Sequence, residues 1–280
     1  MKSFRSLCAE NQTNFTKSEE IIANFIDENI KEVITLTAME LGKKLNMSDM
    51  TILRFSKKIG FNKYNDLKDF LTEELDSRKS VMDRMLLCWN NQNEDSTIQI
   101  INSDIKNLQK LHVDLKEKDI NSVVDIVKKS QKVYVVGIGS SRAVAELLNW
   151  HYTVLGINSL SITEGGYGLF EKIANITSKD CVFFFSVPKY LKDEFKALEF
   201  LRKKNVPTIL ITNDIFSKMT NLATIYLPIE IRNTSFFNSF TAAVELCNIL
   251  LFKIFETDKE KYFNNLKKNE ADQEFLYLNK

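Results

Sequence analysis

The sequence predicts two domains of different class: an all-α N-terminal part containing a helix-turn-helix, and an α/β C-terminal part on a parallel, doubly wound sheet. Residues 1–136 contain no proline and only Gly42 and Gly60, whereas glycines and prolines recur from Gly137 onward at the ends of apolar runs. From residue 133, short β-branched and aromatic runs (133–136, 159–162, 181–185, 208–212 and 224–227) alternate with helical stretches. The length of 280 residues suits two domains at ~100–200 residues each, and the 44% hydrophobic content is enough for a core in both. Disordered and fibrous chains are excluded on the same ground.

In chain order, the first helices announce themselves by their caps. Thr16-Lys17-Ser18-Glu19 and Thr37-Ala38-Met39-Glu40 both fit the capping box, in which the Thr hydroxyl and the Glu carboxylate satisfy opposite backbone N–H groups at a helix start. The second of these helices is predicted to run over 38–45. Asn46 and Met47 form a turn, and Ser48 caps a third helix ending near Gly60. On that third helix Ile52, Phe55 and Ile59 share one face, with Met50, Arg54 and Lys57 opposite, flanked by Thr51 and Lys58.

Charge singles out this motif. The whole chain carries a formal +1, so affinity for nucleic acid must come from a local concentration of cations. Between residues 43 and 63 the cations Lys43, Lys44, Arg54, Lys57, Lys58 and Lys63 face the single anion Asp49. Such a footprint suits phosphates. Placing residues 48–59 in the DNA major groove assigns each side chain a role. Arg54 donates a bidentate pair to guanine, Thr51 bonds a base edge or phosphate, and the lysines neutralise phosphates without reading sequence. Ser48 and the helix N-terminus face a phosphate, and Met50 completes the reading face.

Downstream, Ile98, Ile101, Ile105, Leu108, Leu111 and Leu115 recur at helical spacing. This stripe either pairs across a dimer or covers a face of the following α/β domain, and both are compatible. The run from Val133 through Gly137-Ile138-Gly139-Ser140-Ser141 to Ala143 reads as strand, glycine turn and helix start, an arrangement that aims N–H groups and two hydroxyls at an anion. The third glycine of a dinucleotide fingerprint is missing, so a turn serving only packing is the alternative. The tail after Thr257 is charged but keeps Phe263, Leu266, Phe275 and Leu276, which lets it dock as a helix.

These residues resemble those of the RpiR-type regulators, whose helix-turn-helix has the form Ser-x-x-Thr-Val-x-Arg-Phe followed by Leu-Gly-Phe. The corresponding strings here are Ser48-Asp49-Met50-Thr51-Ile52-Leu53-Arg54-Phe55 and Ile59-Gly60-Phe61. Phe15-Thr16-Lys17-Ser18-Glu19 and Leu41-Gly42 are similar to the same family's first two helices, so the likeness spans about residues 10–76. Regulators of this type carry a sugar isomerase (SIS) domain, and Gly137-Ile138-Gly139-Ser140-Ser141 looks like its first ligand-binding loop, a likeness covering about 107–255. The resemblance implies a flavodoxin-like sheet that dimerises, with Gly139, Ser140 and Ser141 binding ligand. The second loop of such domains reads Ser-x-Ser-Gly-x-Thr, but here it is Ser186-Val187-Pro188-Lys189-Tyr190-Leu191. Only Ser186 remains, and Pro188 removes an N–H donor. Lys189 offers a compensating point charge for an altered, acidic ligand; lost ligand binding is the other alternative.

The expected organisation is a helix-turn-helix domain over 1–77, a helical linker over 78–106, an SIS-like effector and dimerisation domain over 107–256, and a C-terminal tail over 257–280. The expected function is sequence-specific DNA-binding regulation of transcription, of carbohydrate metabolism, on a palindromic operator. The expected partners are double-stranded DNA, a sugar phosphate or sugar acid effector, and further copies of the chain in a homodimer or higher homo-oligomer. A sugar-phosphate isomerase with an accessory helical domain, and a module that only dimerises, are the other hypotheses. An isomerase needs a positioned base: His151 suits a packing or surface role and Glu245 lacks supporting neighbours in sequence, while Glu164 either reaches a ligand hydroxyl or is a solvated carboxylate of the Gly165-Gly166 loop. Cys8, Cys88, Cys181 and Cys247 show neither CxxC spacing nor pairing with the only histidines, His112 and His151, so no metal site, disulfide framework or cofactor is expected. No apolar run approaches the ~20 residues of a membrane span. A cytoplasmic setting is expected.

Overall fold

The computed structural model of the chain describes residues 4, 7, 8, 15–78, 80–90, 96–213 and 218–272. It contains two compact units, Met1–Leu87 and Cys88–Lys280. The expected linker over 78–106 holds helix Val81–Asn90 and the first half of helix Ser96–Asp114.

The described elements of the first unit are all helices, among them α1 (Lys17–Glu28), α2 (Ile30–Val33), α3 (Ala38–Lys44), α4 (Asp49–Lys58) and α5 (Tyr64–Arg78), followed by the start of α6 (Val81–Asn90). Thr16 and Thr37 form both expected capping boxes, their hydroxyls accepting from the N–H groups of Glu19 and Glu40. One core is built from α1 to α5, with Ile22, Ile26, Val33, Leu41, Ile52, Phe55, Leu67 and Leu71 excluded from solvent.

The second unit begins with α7 (Ser96–Asp114) and α8 (Glu117–Lys129) and continues into the sheet. Strands β1 (Val133–Gly137), β2 (Ser159–Ile162), β3 (Cys181–Phe185), β4 (Thr208–Thr212) and β5 (Ile225–Pro228) pair in parallel in the order β2-β1-β3-β4-β5. Helices α9 (Arg142–Val154), α10 (Gly166–Ala174) and α11 (Lys192–Lys203) are the crossovers, and α12 (Thr241–Glu256) and α13 (Lys259–Asp272) complete the unit. Alternation along β3 divides the two faces: Cys181, Phe183 and Phe185 pack with α8, α9 and α12, while Val182 and Phe184 pack with α10 and α11. All five β3 residues are buried, as expected for a central parallel strand covered on both sides.

The apolar stripe on α7 divides in two. Leu111 and Leu115 join the core over the sheet, and Asn107 Nδ2 donates to the Arg232 carbonyl at 2.7 Å. The covering alternative therefore holds for this end, whereas Ile98, Ile101 and Ile105 remain 52%, 54% and 46% exposed in the single chain. The tail does form a helix: Tyr262 is buried and Asn265 Nδ2 donates to the Leu155 carbonyl at 2.9 Å. Phe263 is exposed and Leu266 half-buried, and Phe275 and Leu276 lie outside the described residues.

Candidate functional site

The geometry of α4 is set by what holds its two ends. Asn46 adopts φ +54° between α3 and α4, and the Met47 N–H donates to the Gly42 carbonyl at 2.8 Å. Ser48 then caps α4, its Oγ accepting from the Thr51 N–H at 3.2 Å and lying 2.9 Å from Thr51 Oγ1. At the far end Gly60 takes φ +103°, the Phe61 N–H bonds the Ser56 carbonyl at 2.9 Å, and the Gly60 N–H bonds the Lys57 carbonyl at 3.1 Å. That pair is a Schellman closure, which needs a left-handed residue and explains the glycine. Ser48→Ala removes the cap and is expected to cost about 1 kcal/mol of N-terminal domain stability, read from chemical denaturation. A midpoint shift equal to that of an exposed mid-helix Ser→Ala control would show that the cap contributes nothing.

The two faces of α4 separate as the helical wheel requires. Ile52, Phe55 and Ile59 are buried, and Ser56 joins them by donating its hydroxyl to the Ile52 carbonyl. Met50 is 57% exposed, Arg54 and Lys57 are exposed, and Thr51 is half-buried at the helix start. Arg54 makes only a 3.4 Å contact from Nε to the Met50 carbonyl, so its guanidinium extends from the surface.

Lys58 behaves differently. Its Nζ lies 2.7 Å from the Glu19 carboxylate and 5.8 Å from the Phe15 ring centre, so this half-buried ammonium ties α4 to α1. Burial raises the Glu19 carboxyl, but the Lys58 bond and the Thr16 N–H more than offset it and hold the group below its usual range. Lys44 likewise pairs with Glu32 and sits over the Phe25 ring at 5.6 Å. Two of the six cations in the basic segment are thus engaged by carboxylates from outside it.

In the second unit the strand order reverses at β1. Its chain connection passes to β2 on one side, and β3 lies on the other, with Gly137 in register with Phe185. Ligands of open α/β sheets bind in the crevice beyond the carboxyl ends of strands at such a switch point. The two loops identified from sequence leave these adjacent strand ends. In the first, a Cβ on Gly137 would lie 2.5 Å from the Ser141 carbonyl oxygen and 2.7 Å from Ala145 Cβ, so this glycine lets the turn fold onto α9. Gly139 has φ +63° with open space beside it; Ser140 is exposed and Ser141 is buried.

In the second loop the Ser186 hydroxyl is buried and donates to the Glu194 carboxylate at 2.8 Å. The same carboxylate oxygen accepts from the Leu191 N–H at 3.1 Å. Sequence reasoning missed Glu194; its signal was the position three residues after Leu191, where a carboxylate reaches back to a helix start. Lys189 is exposed, Tyr190 donates its hydroxyl to Asn213 at 2.8 Å, and Asn238 Nδ2 donates to the Pro188 carbonyl at 3.3 Å.

The candidate bases His151 and Glu245, and Glu164, are not brought together with these loops by any described contact. His151 keeps a buried Nδ1 without a hydrogen-bond partner, and burial lowers its pKa. Glu164 pairs with Lys172 at 2.9 Å, and Glu245 accepts from Asn248 at 3.2 Å beside an open groove of about 450 Å³ also lined by Leu108, Phe240, Thr241 and Val244. Burial pushes the Cys8, Cys181 and Cys247 thiols up to about 12, far from a nucleophilic thiolate. Among the described residues no His, Cys, Asp and Glu cluster suits a metal ion, and no helix is long and apolar enough to cross a membrane.

Comparison with known proteins adds an independent line. Residues 5–78 match the model of the helix-turn-helix domain of the rpiR family, and residues 126–253 match the SIS domain. The chain is 23% identical over 213 residues to an uncharacterized HTH-type transcriptional regulator of Clostridium perfringens, covering 74% of this chain and 75% of that one. A second such regulator, from Haemophilus influenzae, is 24% identical over 214 residues, or 75% of this chain and 74% of the other. Among solved structures, the sugar isomerase domain of the RpiR transcription factor of Sphaerobacter thermophilus is 28% identical, with a TM-score of 0.61 over 64% of this chain and 99% of its own. The fold of Vibrio vulnificus NanR, solved in complex with ManNAc-6P, matches over 99% of both chains at 19% identity and a TM-score of 0.61. The capped helix-turn-helix, the switch-point sheet that follows it in sequence and the two matching models make this chain a DNA-binding transcription regulator of the RpiR family, with a C-terminal SIS domain.

Proposed function

We propose that this regulator reads a palindromic operator through Met50, Thr51, Arg54 and Lys57, with Ser48 and the α4 N-terminus set against a phosphate. The single observation that carries the reading is that α4 and its C-cap bury Ile52, Phe55 and Ile59 while leaving Met50, Arg54 and Lys57 exposed on the opposite face, beside the half-buried Thr51. Lys58 was expected at phosphate too; its bond to Glu19 supports a structural role instead. A dimer over the domains assigned to 1–77 and 107–256, joined by the 78–106 linker, sets two recognition helices about one DNA turn (~34 Å) apart. The α/β domain controls that geometry without catalysing a reaction. No described contact sets His151, with its unpartnered Nδ1, or Glu164 and Glu245, with their own partners, against the 139–141 loop or Ser186.

The effector is sugar-derived and enters between the 139–141 loop and the loop holding Ser186 and Lys189. NanR, solved with ManNAc-6P, supports this class of ligand for the fold. The test of the whole reading is fluorescence anisotropy on promoter DNA from the protein's own genomic neighbourhood. Binding is expected to weaken with salt at a log–log slope of roughly −0.9 for each phosphate contacted. Salt-insensitive or absent binding overturns it, and turnover of hexose or amino-sugar phosphates by the pure protein would establish the isomerase alternative.

A further inference from the structure

The crevice beyond β1 and β3 is bordered by the N-terminus of α11, a 12-residue helix whose first free N–H groups favour a negative charge. That position is already taken. Glu194 is 3% exposed, and one of its oxygens accepts from both the Ser186 hydroxyl and the Leu191 N–H. A carboxylate this deeply buried is retained only with such partners. Pro188 supplies no N–H, so the loop has one donor fewer to set against those that Glu194 engages. Asp193 adds a second carboxylate in the same helical turn, and the nearby cations Lys189 and Lys192 are exposed.

We propose that Glu194 is a specificity-determining residue that stands in for the ligand's anion, so that this control domain refuses the phosphoryl group of a sugar phosphate. The proposal rests on the reading of the α/β domain as the control domain and narrows its ligand. The first loop carries hydroxyls suited to an uncharged, hydroxylated ligand, on the exposed Ser140 and the buried Ser141. A phosphate entering at α11 must displace Glu194 into the loop and leave it beside a second anion. Both consequences oppose binding.

The test is a thermal-shift and calorimetric titration of the full chain with inorganic phosphate and with glucose 6-phosphate as probes. The native protein is expected to show no saturable stabilisation at millimolar concentrations. Glu194→Ser, which frees the Ser186 hydroxyl and the Leu191 N–H, is expected to bind glucose 6-phosphate at least tenfold more tightly than the native protein. Glu194→Gln keeps the volume and one acceptor but removes the charge, and is expected to gain a smaller factor; it serves if the serine variant fails to fold by circular dichroism. Saturable binding of either probe to the native protein that is lost in Ser186→Ala overturns the proposal, as does a folded Glu194 variant that binds no better than the native chain. Promoter binding by the same preparations separates the two readings. A protein that binds DNA but takes glucose 6-phosphate through Ser186 defeats this inference alone, whereas one that binds no DNA defeats the regulator reading.

Discussion

Replacing Arg54 by alanine is expected to erase most of the difference between operator and scrambled DNA while leaving the fold intact. Arg54 is exposed on the face opposite Ile52 and Phe55, and its guanidinium is held by nothing stronger than a 3.4 Å contact to the Met50 carbonyl. Its planar fork is suited to the O6 and N7 of guanine, a pairing worth about 1–3 kcal/mol of discrimination per half-site, or roughly 5- to 150-fold in affinity. Lys57 lies on the same face but presents a point charge. Lys57→Ala is expected to weaken operator and scrambled DNA alike and to reduce the salt slope by about one. The two variants therefore differ in kind as well as in size. If Arg54→Ala weakens both DNAs equally and lowers the salt slope, Arg54 is a phosphate contact and base reading belongs to Met50 and Thr51. Lys58→Ala provides the contrast within the helix: a cation bonded to Glu19 contributes to stability and little to the salt slope.

The features legible in the sequence are those whose cause is local. The caps at Thr16, Thr37 and Ser48 depend on residues three positions apart, and all three form as expected. The runs of β3 and β4 were readable because a parallel strand buried on both faces has to be apolar along its length; β1 extends one residue beyond its run, to Gly137, and β5 is displaced by one residue at each end, to Ile225–Pro228. The unreadable features depend on pairing through space. Lys58 and Glu19 are 39 positions apart, so a helical wheel places Lys58 beside the reading face and cannot show the carboxylate that holds it. Ser186 looked like the surviving hydroxyl of a ligand loop, and nothing within that loop shows that Glu194 from the next helix consumes it. The α7 stripe has uniform spacing, yet Leu111 and Leu115 pack into the core of the second unit while Ile98, Ile101 and Ile105 stay exposed, a division that spacing along one helix does not show.

Gly42→Ala combines both kinds of cause, because the sequence marks Gly42 only by its likeness to a family pattern while the structure supplies the physical reason. The residue lies within α3, where alanine is favoured over glycine by about 1 kcal/mol from helix propensity alone. Space decides the sign. A Cβ there would lie 2.8 Å from the Met47 carbonyl oxygen, 3.2 Å from the Asp49 nitrogen and 3.3 Å from the Ser48 carbonyl carbon. All three atoms are backbone of the turn that leads into α4, so none can rotate away as a side-chain end would. Relief requires α3 and α4 to separate, against the Met47 N–H bond to Gly42 and the packing of Leu41 with Ile52 and Phe55 in one core. Forced overpacking of this kind costs about 1–3 kcal/mol or more, enough to exceed the propensity gain and take a sizeable fraction of a small domain's stability. The variant is expected to unfold at lower denaturant and to bind operator more weakly, because the displaced turn also carries Ser48 and the start of the reading helix. Arg54→Ala, by contrast, is expected to leave the denaturation midpoint unchanged. A Gly42→Ala protein as stable as the native one, with unaltered operator affinity, would show that the turn can open without cost and that the contact with Met47 does not fix the angle at which α4 is presented to DNA.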